Sequence, residues 1–337
     1  MNLAGHRSLL SCILALGLFM TNAGCDSTST NNNNGGQQAA KIKVAQFGDV
    51  FLYMPLYIAK DKGFFQQQGL DVDIINTGGD DKTFAAVISG DAQFGIADPT
   101  FVAIARSKGQ SGQVIASVVN GVPFWGITKK PSIPLISDPK MLDNYSVATF
   151  PAPSTAYTLQ KQMFAKGGLK PNIREAAFGT LIAQLDSGTA DIALELEPNV
   201  STATKQGARI VYSMADMYGD FAITGVSTSD EMIQKHPDQV QKFVTALDQA
   251  HRFAHENPSG ALEVAVKRFP SLDRDVVEQA LKRLLDSKTL PTTTVISDDA
   301  WVKACQLRID SGDLKATIEE ARQALNNNFA QRAAQSR

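Results

Sequence analysis

The chain has 337 residues, of which 43% are hydrophobic, 20% charged and 7% aromatic, and its formal net charge is −2. This composition is typical of one large or two medium globular domains, and it excludes collagen, coiled coil and extensive disorder. Because there is no excess of positive charge to neutralise phosphates, we expect no nucleic-acid partner. With 4 histidines and 3 cysteines, the sequence predicts neither a metal site nor a cofactor.

Residues 1–25 have the organisation of an export signal. Arg7 gives a short positive end, and residues 9–20 form an apolar stretch that is too short to span a bilayer. The small residues before Cys25 resemble the lipobox of bacterial lipoproteins, which implies a lipid anchor on that cysteine. Asn22 departs from this pattern, because an aliphatic residue is usual there. The alternative is a plain signal peptide that leaves Cys25 as an ordinary thiol.

Residues 26–40 are rich in Ser, Thr, Asn, Gly and Gln and contain almost no apolar side chain. Such a segment cannot bury enough surface to offset its ordering entropy, so we predict a flexible tether. The chain after it has no apolar run approaching eighteen residues, and we expect a soluble body held at the membrane by the lipid. Cys305 is the only cysteine of that body, and we expect a buried thiol rather than a disulfide.

From Lys41 onward, short runs typical of strands alternate with helical patterns, which indicates an α/β fold. Beyond Ser229 the pattern is nearly all helical, and residues 326–337 are predicted to be frayed. The predicted strands are 42–47, 70–75, 93–97, 114–119, 124–128, 145–150, 173–178, 191–194 and 209–212. The helices predicted before Ser229 include one that begins near Pro55, one at 83–89 and one at 155–166.

One stretch of sequence is echoed about a hundred residues later. The stretch SGDAQFGIADP at 89–99 is matched by SGTADIALELEP at 187–198. In each copy a predicted helix ends at Ser-Gly, a short strand follows, and an acid–Pro pair opens the next helix. The echo suggests two similarly wound lobes, although a commonplace helix–turn–strand unit is the alternative.

Several motifs together resemble those of a known family. They are PLYIAKDKGFF at 55–65, GLDV at 69–72, Gly78-Gly79, the first copy of the echo, and STA at 154–156. In this order they resemble the periplasmic substrate-binding proteins of ABC importers for nitrate, sulfonates, taurine, bicarbonate and pyrimidine precursors of thiamine. Leu196 and Pro153 depart from the family, which often has Trp and Gly there.

The resemblance implies a type II periplasmic-binding-protein fold, with two lobes that each contain a mixed, mostly parallel sheet flanked by helices. Lobe 1 would comprise residues 41–128 and 226–325, and lobe 2 residues 129–225. A small-molecule ligand would be held between the lobes, and an ABC importer permease would recognise the closed shape. The implied protein is periplasmic or otherwise extracytoplasmic, lipid-anchored and monomeric.

Two helix starts supply candidate ligand contacts, because helix N-termini offer free N–H groups to a ligand. Ser154 and Thr155 stand at one start, and their hydroxyls are further donors. Ser154 is equally suited to be a plain N-cap, and the two roles are compatible. Asp98 and Thr100 stand at another start, where Asp98 either caps the helix or binds a ligand amine.

Loops at the ends of strands supply further candidates, because open α/β sheets bind ligands there. In the loop after the first strand we select Asp49, Phe51 and Tyr53, with packing beneath the loop as the alternative for the two rings. Gly79 would let the backbone approach a ligand closely, although a simple turn is the alternative.

Two candidates lie near the predicted hinge and the second acid–Pro pair. Trp125, beside Phe124, would stack on a planar ligand, and core packing is the alternative. Glu197 would place an acid at the cleft, and a solvated acid is the alternative. Because no arginine or lysine falls inside the motifs that supply these candidate ligand contacts, a dianion is disfavoured. A sulfonate, a small monoanion and a neutral heterocycle stay open.

Two other classes of function compete with delivery to an importer. A ligand-binding sensor lipoprotein for a membrane receptor would have the same body. A pyrimidine-precursor synthase-like enzyme is the second alternative, but the chain has no nucleophile or phosphate-binding motif. His251 and His255 have helical i,i+4 spacing, yet we expect the first beside the core and the second at a helix end rather than a metal site.

Overall fold

The computed structural model describes residues 39–336. The expected leader with Cys25 lies outside these residues, as does the expected tether up to residue 38. Within the described part, the strands form two five-stranded sheets flanked by helices, which confirms the predicted α/β fold. No helix in residues 39–336 is long and apolar enough to cross a membrane.

The first sheet is made from two separate parts of the chain. Its strands are β1 (Ala40–Gln46), β2 (Leu70–Asn76), β3 (Phe94–Ala97), β4 (Gln113–Asn120) and β10 (Ala222–Thr228). Their spatial order is β2-β1-β3-β10-β4. β1 pairs in parallel with β2 and β3, whereas β10 is antiparallel to β3 and β4.

The second sheet is made from one continuous part of the chain. Its strands are β5 (Trp125–Thr128), β6 (Val147–Thr149), β7 (Ile173–Glu175), β8 (Ile192–Glu195) and β9 (Arg209–Ser213). Their order is β7-β6-β8-β5-β9, and β5 is antiparallel to both of its neighbours. The fourth position of each sheet is therefore occupied by an antiparallel strand, which is β10 in the first sheet and β5 in the second.

The echo in the sequence corresponds to equivalent places in the two sheets. β3 and β8 both occupy the third position, and each is followed by an acid–Pro pair, Asp98-Pro99 or Glu197-Pro198. The two lobes are thus wound alike at this point, as the echo suggested.

The sheets divide the chain differently from the predicted lobe boundaries at 128 and 226. The strand that begins at Trp125 is bonded to β8 and β9, so it belongs to the second sheet and not to the first. β10, which we did not predict as a strand, returns the chain to the first sheet at Ala222. β5 and β10 are thus the two crossing strands. β5 follows β4 of the first sheet but pairs in the second, and β10 follows the second sheet but pairs in the first.

The helices cover both sheets. In chain order they are α1 (Met54–Asp61), α2 (Phe64–Gln67), α3 (Asp80–Ile88), α4 (Thr100–Arg106), α5 (Thr155–Lys166), α6 (Leu181–Asp186), α7 (Asn199–Lys205), α8 (Met214–Tyr218), α9 (Asp230–Lys235), α10 (Pro237–Glu256), α11 (Pro258–Arg268), α12 (Arg274–Asp286), α13 (Asp298–Asp310), α14 (Ile318–Arg322) and α15 (Asn328–Gln335). Short 3-10 turns lie at Phe51–Tyr53 and Pro139–Leu142.

The apolar stripe of α10 forms the centre of the first lobe's core. The Phe243 ring stacks between Phe65 of α2 and Phe94 of β3, at centroid distances of 5.0 and 4.1 Å. Val240 and Leu247 lie on the same stripe and are fully buried. The predicted helical tail therefore covers the first sheet, as we expected.

One helix of the tail also contacts the second lobe. α12 packs against α7, and the Lys205 ammonium lies 2.7 Å from Asp273 and 2.9 Å from Asp275. Arg283 of α12 donates from Nε to the buried carboxylate of Glu197 over 2.5 Å. The tail thus joins the two lobes in addition to completing the first.

Residues 326–336 are held against the body, which corrects the prediction that the chain is frayed from residue 326 onward. The Asn326 N–H donates to the Val114 carbonyl of β4 over 2.8 Å, and α15 packs against α10. Phe329, Ala330 and Ala333 are buried on the inner face of α15. Residues 326–328 are all asparagine, but the apolar face of α15 that follows them packs this segment onto the core.

We predict that Phe329→Ala lowers the free energy of unfolding by about 3 kcal/mol, because it removes a buried ring from the contact between α15 and α10. Urea unfolding followed by circular dichroism measures the change. Gln331→Ala, at an exposed position of the same helix, is the control and should stay within about 0.5 kcal/mol of the wild type. Equal stability of all three proteins would contradict the docking of α15.

Candidate functional site

A cavity of about 310 Å³ lies between the two lobes. Its wall comes from the loop after β1, the start of α3, the ends of β3 and β8, the crossing strand β10 and the start of α5. Aromatic and aliphatic side chains make up most of the wall: Phe47, Val50, Leu52, Tyr53, Phe124, Phe150, Ala156, Phe178, Leu196 and Ile223. The polar members are Asp80, Asp98, Ser154, Thr155 and Thr224, and Pro151 completes the lining.

The aromatic wall is concentrated on the second lobe. The rings of Phe150 and Phe178 stack with centroids 5.7 Å apart and an interplanar angle of 28°, and Phe124 lies 6.3 Å from Phe150. Phe178 is 52% exposed, which is unusual for a phenylalanine. A flat ligand would find a ready stacking surface on this wall.

The carboxylate of Asp98 stands where the lobes meet. Its Oδ1 accepts from the N–H and the hydroxyl of Thr100, over 2.9 and 2.6 Å. Its Oδ2 accepts from the Thr155 hydroxyl of the second lobe over 2.6 Å and from Arg308 over 2.8 Å. The contact with Thr155 joins the two lobes directly.

Arg308 of α13 is the cation behind this contact. Its guanidinium is 2% exposed and donates to Thr100 (3.2 Å), Thr155 (2.8 Å) and the Pro153 carbonyl (2.9 Å) besides Asp98. Burial acts to lower the pKa of Arg308, but the charges of Asp98 and Asp313 outweigh it and raise that pKa. The arginine is therefore held in its charged form by carboxylates of the protein itself.

The motifs alone did not reveal Arg308, because it lies 210 residues along the chain from Asp98. A local signal was nevertheless present. Trp301, Ala304, Cys305 and Arg308 follow the i, i+3, i+4, i+7 spacing of one helix face, and the first three are apolar. An arginine on the apolar face of a helix indicates a buried charge with a partner.

Asp80 is the second carboxylate of the cavity. Burial, with the nearby charge of Asp98, raises the pKa of the Asp80 carboxyl to about 7. Its Oδ1 accepts from the Asp98 N–H over 3.3 Å. Within residues 39–336, no lysine, arginine or histidine lines the cavity. The pocket therefore presents carboxylates, hydroxyls and rings to whatever enters it.

Four of the ten predicted ligand contacts line the cavity: Tyr53, Asp98, Ser154 and Thr155. Ser154 is also the N-cap of α5, since its hydroxyl accepts from the Tyr157 N–H over 3.2 Å. Asp98 likewise accepts from the first N–H of α4. The capping and the cleft positions are thus compatible at both helices.

Three of the other predicted contacts lie away from the cavity wall in the first lobe's loops. Asp49 forms an ion pair with Arg268 on the surface, and Phe51 packs against Phe269 at a centroid distance of 5.1 Å. Gly79 is the N-cap of α3 and its carbonyl accepts from Thr83. Gly79 directly precedes the lining residue Asp80, so the selected turn lies next to the cavity.

The remaining three support the cavity from behind. Thr100 is bonded to Asp98 and Arg308, as described above. Trp125 is buried in β5, while its neighbour Phe124 lines the cavity. Glu197 is buried against Arg283 and Ser201, and Leu196 instead faces the cavity.

The sequence reasoning missed Phe47, Phe150, Phe178 and Asp80 as lining residues. Phe47, Phe150 and Phe178 are the final residues of the runs predicted as strands at 42–47, 145–150 and 173–178. Since open sheets bind ligands beyond the carboxyl ends of their strands, a ring at each of those ends was the available signal. Asp80 directly follows Gly79, the residue of this turn that we selected.

The two histidines of α10 have structural contacts. His251 Nδ1 lies 2.9 Å from the Pro291 carbonyl and Nε2 lies 3.2 Å from the Ser117 carbonyl. His255 Nε2 lies 2.9 Å from the Leu290 carbonyl. Burial lowers the pKa of His251 to about 4. Burial also raises the pKa of the Cys305 thiol, which lies on α13. Both imidazoles thus lie against the backbone that precedes α13, and that of His251 also lies against β4.

A family model described as NMT1/THI5 like matches residues 51–261. Among curated proteins, the chain is 24% identical over 322 residues to the "Putative binding protein YtlA" of Bacillus subtilis, covering 91% of this chain and 92% of that one. It is 23% identical to the "Riboflavin-binding protein RibY" of Chloroflexus aurantiacus, covering 82% of each chain. It is 22% identical to the yeast (Saccharomyces cerevisiae) "4-amino-5-hydroxymethyl-2-methylpyrimidine phosphate synthase THI11", covering 68% and 72%.

Solved structures share the fold at lower sequence identity. The alkanesulfonate-binding protein SsuA from Xanthomonas axonopodis, bound to MOPS, has a TM-score of 0.67 at 16% identity and covers 86% of this chain and 98% of its own. The nitrate-binding protein NrtA from Synechocystis has a TM-score of 0.67 at 15% identity and covers 89% of each. These likenesses confirm the predicted type II periplasmic-binding-protein fold.

We predict that Asp80→Asn changes how stability depends on pH. A pKa raised to about 7 from a usual value near 4 gives a stabilising contribution that is complete below about pH 4 and is lost as the pH rises through about 7. The variant lacks this loss, so its stability relative to the wild type should increase between about pH 4 and pH 7. Thermal melts across that range measure the difference.

Asp81→Asn is the matched control, because Asp81 is the exposed neighbour on the same helix turn. Its melting temperature should depend on pH in nearly the same way as that of the wild type, because the charge of Asp81 is the smallest of the causes that act on the Asp80 pKa. If the melting temperatures of Asp80→Asn and the wild type differ by the same amount at every pH, the raised pKa of Asp80 is refuted.

Proposed function

The chain belongs to the NMT1/THI5-like family, and from this membership we propose that it is an extracytoplasmic solute-binding protein that delivers a small molecule to an ABC importer. The cavity between the two sheets is the observation that carries the proposal. Its volume of about 310 Å³ is near the lower end of the range for small-molecule sites, about 300–1,000 Å³. A ligand of one or two rings would suit it.

The chemistry of the wall favours a planar heterocycle over a sulfonate or nitrate. Phe124, Phe150 and Phe178 offer ring faces, and Asp80 offers a carboxylate to a ligand N–H. Arg308, which donates to the lining residue Thr155, is already paired with Asp98. An amino-substituted ring of the pyrimidine kind would stack on the second lobe and donate to the first.

Ligand capture would use the contact between the lobes. Thr155 and Asp98 meet across the cavity, so the closed shape has its own hydrogen bond besides those that a ligand adds. A ligand that touches both walls would favour this shape, because it gains contacts there that an open cleft lacks. A permease that recognises the closed shape would then accept only loaded protein.

Relatives and structural neighbours support this function at a coarse level. YtlA and RibY carry names of binding proteins, and the name of RibY specifies a ligand with fused aromatic rings. SsuA and NrtA, whose ligands are anions by name, share only the fold at 16% and 15% identity. The ligand proposal therefore depends on the wall of this cavity.

The proposed function predicts that an aminopyrimidine or a related heterocycle raises the melting temperature of the body, residues 39–337. A ligand at about 100 times its dissociation constant should add about 2.7 kcal/mol, a shift of several degrees. Taurine, alkanesulfonates, nitrate and bicarbonate should give no comparable shift. If no heterocycle of the panel raises the melting temperature, the proposed ligand class is contradicted.

Two cavity variants sharpen this test. Phe178→Ala should weaken binding of the active heterocycle about tenfold by removing a stacking face. Asp80→Asn should weaken a ligand that carries an amino group more than an analogue without one. Leu135→Ala removes another exposed apolar side chain, 68% exposed and outside the cavity lining, and should leave the affinity unchanged.

Two rival functions give different outcomes in the same assays. The synthase name of THI11 makes an enzyme the second candidate, and it would be favoured if the bound heterocycle were consumed. A sensor would bind the ligand without transport. Loss of uptake in cells that lack the protein, restored by the wild type, would favour delivery over sensing.

The proposed membrane location depends on Cys25, which we propose to be lipidated. Cys25→Ser should shift the full-length protein from the detergent phase to the aqueous phase in Triton X-114 partitioning. Cys305→Ser, which removes a buried thiol of the folded body, is the control and should leave the partitioning unchanged. Aqueous partitioning of the wild type would contradict the lipid anchor.

A further inference from the structure

The hydrogen-bond donors around Asp98 form a compact receptor for an oxyanion. They are the Arg308 guanidinium, the hydroxyls of Thr100 and Thr155, and the Thr100 N–H, and they come from both lobes. A planar cation with hydroxyl and N–H donors around it is the arrangement that binds carboxylate-like anions most strongly.

All of these donors are used by the protein itself. The two oxygens of Asp98 accept four hydrogen bonds of 2.6 to 2.9 Å. The other N–H groups of Arg308 donate to Thr100, to the Pro153 carbonyl and to Asp313, the last over 3.4 Å. An anion that enters the cavity therefore meets no unpaired donor of this group, and it also meets the negative charge of Asp98.

We propose that Asp98 is a specificity-determining residue that acts as a built-in anion: its carboxylate occupies the place of an anionic ligand and excludes sulfonates and nitrate from the cavity. This inference rests on the proposed function, since it concerns the ligand class of the same cavity. It explains how this cavity can have Arg308 beside it and still bind an uncharged ring rather than an anion. The selectivity comes from unfavourable interactions with the competing anions as much as from attraction to the ligand.

The test is to remove the built-in anion and supply a free one. Asp98→Ala deletes the carboxylate and leaves space for a small planar anion beside Arg308 and the two hydroxyls. Nitrate, with three oxygens in a plane, is the probe. Titration calorimetry and thermal shift should show that the variant binds nitrate at least about tenfold more tightly than the wild type.

Two matched variants separate this effect from a general change of charge. Asp98→Asn removes the same charge but keeps the space filled, so it should gain much less nitrate affinity than Asp98→Ala. Asp313→Ala removes the other carboxylate that faces Arg308, at a half-buried position outside the cavity lining. It should gain no affinity for nitrate.

Each contrary outcome overturns the inference. The first is equal nitrate affinity of the wild type and Asp98→Ala, and the second is an equal gain in Asp98→Asn. The third is an Asp98→Ala protein that stays unfolded at saturating nitrate, because the free anion should restore the lost contacts. Heterocycle binding by the wild type is measured in parallel, and its failure would refute the proposed ligand class without changing the nitrate result.

Discussion

Two buried acid–arginine ion pairs hold the helical tail against both sheets. Asp98 and Glu197 follow the third strand of the first and second sheets, and each meets an arginine from the helical tail, Arg308 or Arg283. The tail helices thus reach the same point of two similarly wound lobes. Because the two acids are nearly inaccessible to solvent, each of them needs its arginine, and the position of the tail relative to both sheets is fixed by these contacts.

Such pairs are better suited to specify an arrangement than to stabilise it. The cost of removing two charges from water is offset only when their hydrogen bonds are complete, whereas loss of one partner costs about 3–5 kcal/mol. Burial raises the pKa of Glu197 even though Arg283 acts to lower it, so the desolvation of this carboxylate is not fully compensated. Asp98 differs because four donors surround it at the wall of the cavity.

The sequence predicted the strands before residue 213, the α/β class and the helical tail, because periodicity and turn residues are local signals. It did not predict β10, whose Gly225 and polar residues form a strand only through pairing with β3 and β4. It also selected Glu197 as a ligand contact, whereas Leu196 lines the cavity and Glu197 is buried against Arg283. Which of two neighbours faces a cavity depends on where a strand ends, and this is settled by contacts distant in sequence. Arg308 was missed because its partner Asp98 lies 210 residues away, although its position on an apolar helix face was a local signal.

The interrupted composition of the first sheet has a consequence for the order of folding. The second sheet uses one continuous stretch, from β5 to β9, and its pairings can form as soon as that stretch is available. In the first sheet, β10 lies between β3 and β4. Because β10 comes about a hundred residues after β4 in the chain, the sheet stays incomplete until that later segment is available. Long loops of this kind delay pairing because the ends must meet before any contact forms. The pairings of the second sheet can therefore form independently of the first, and we expect the cavity between the two lobes to form late in folding.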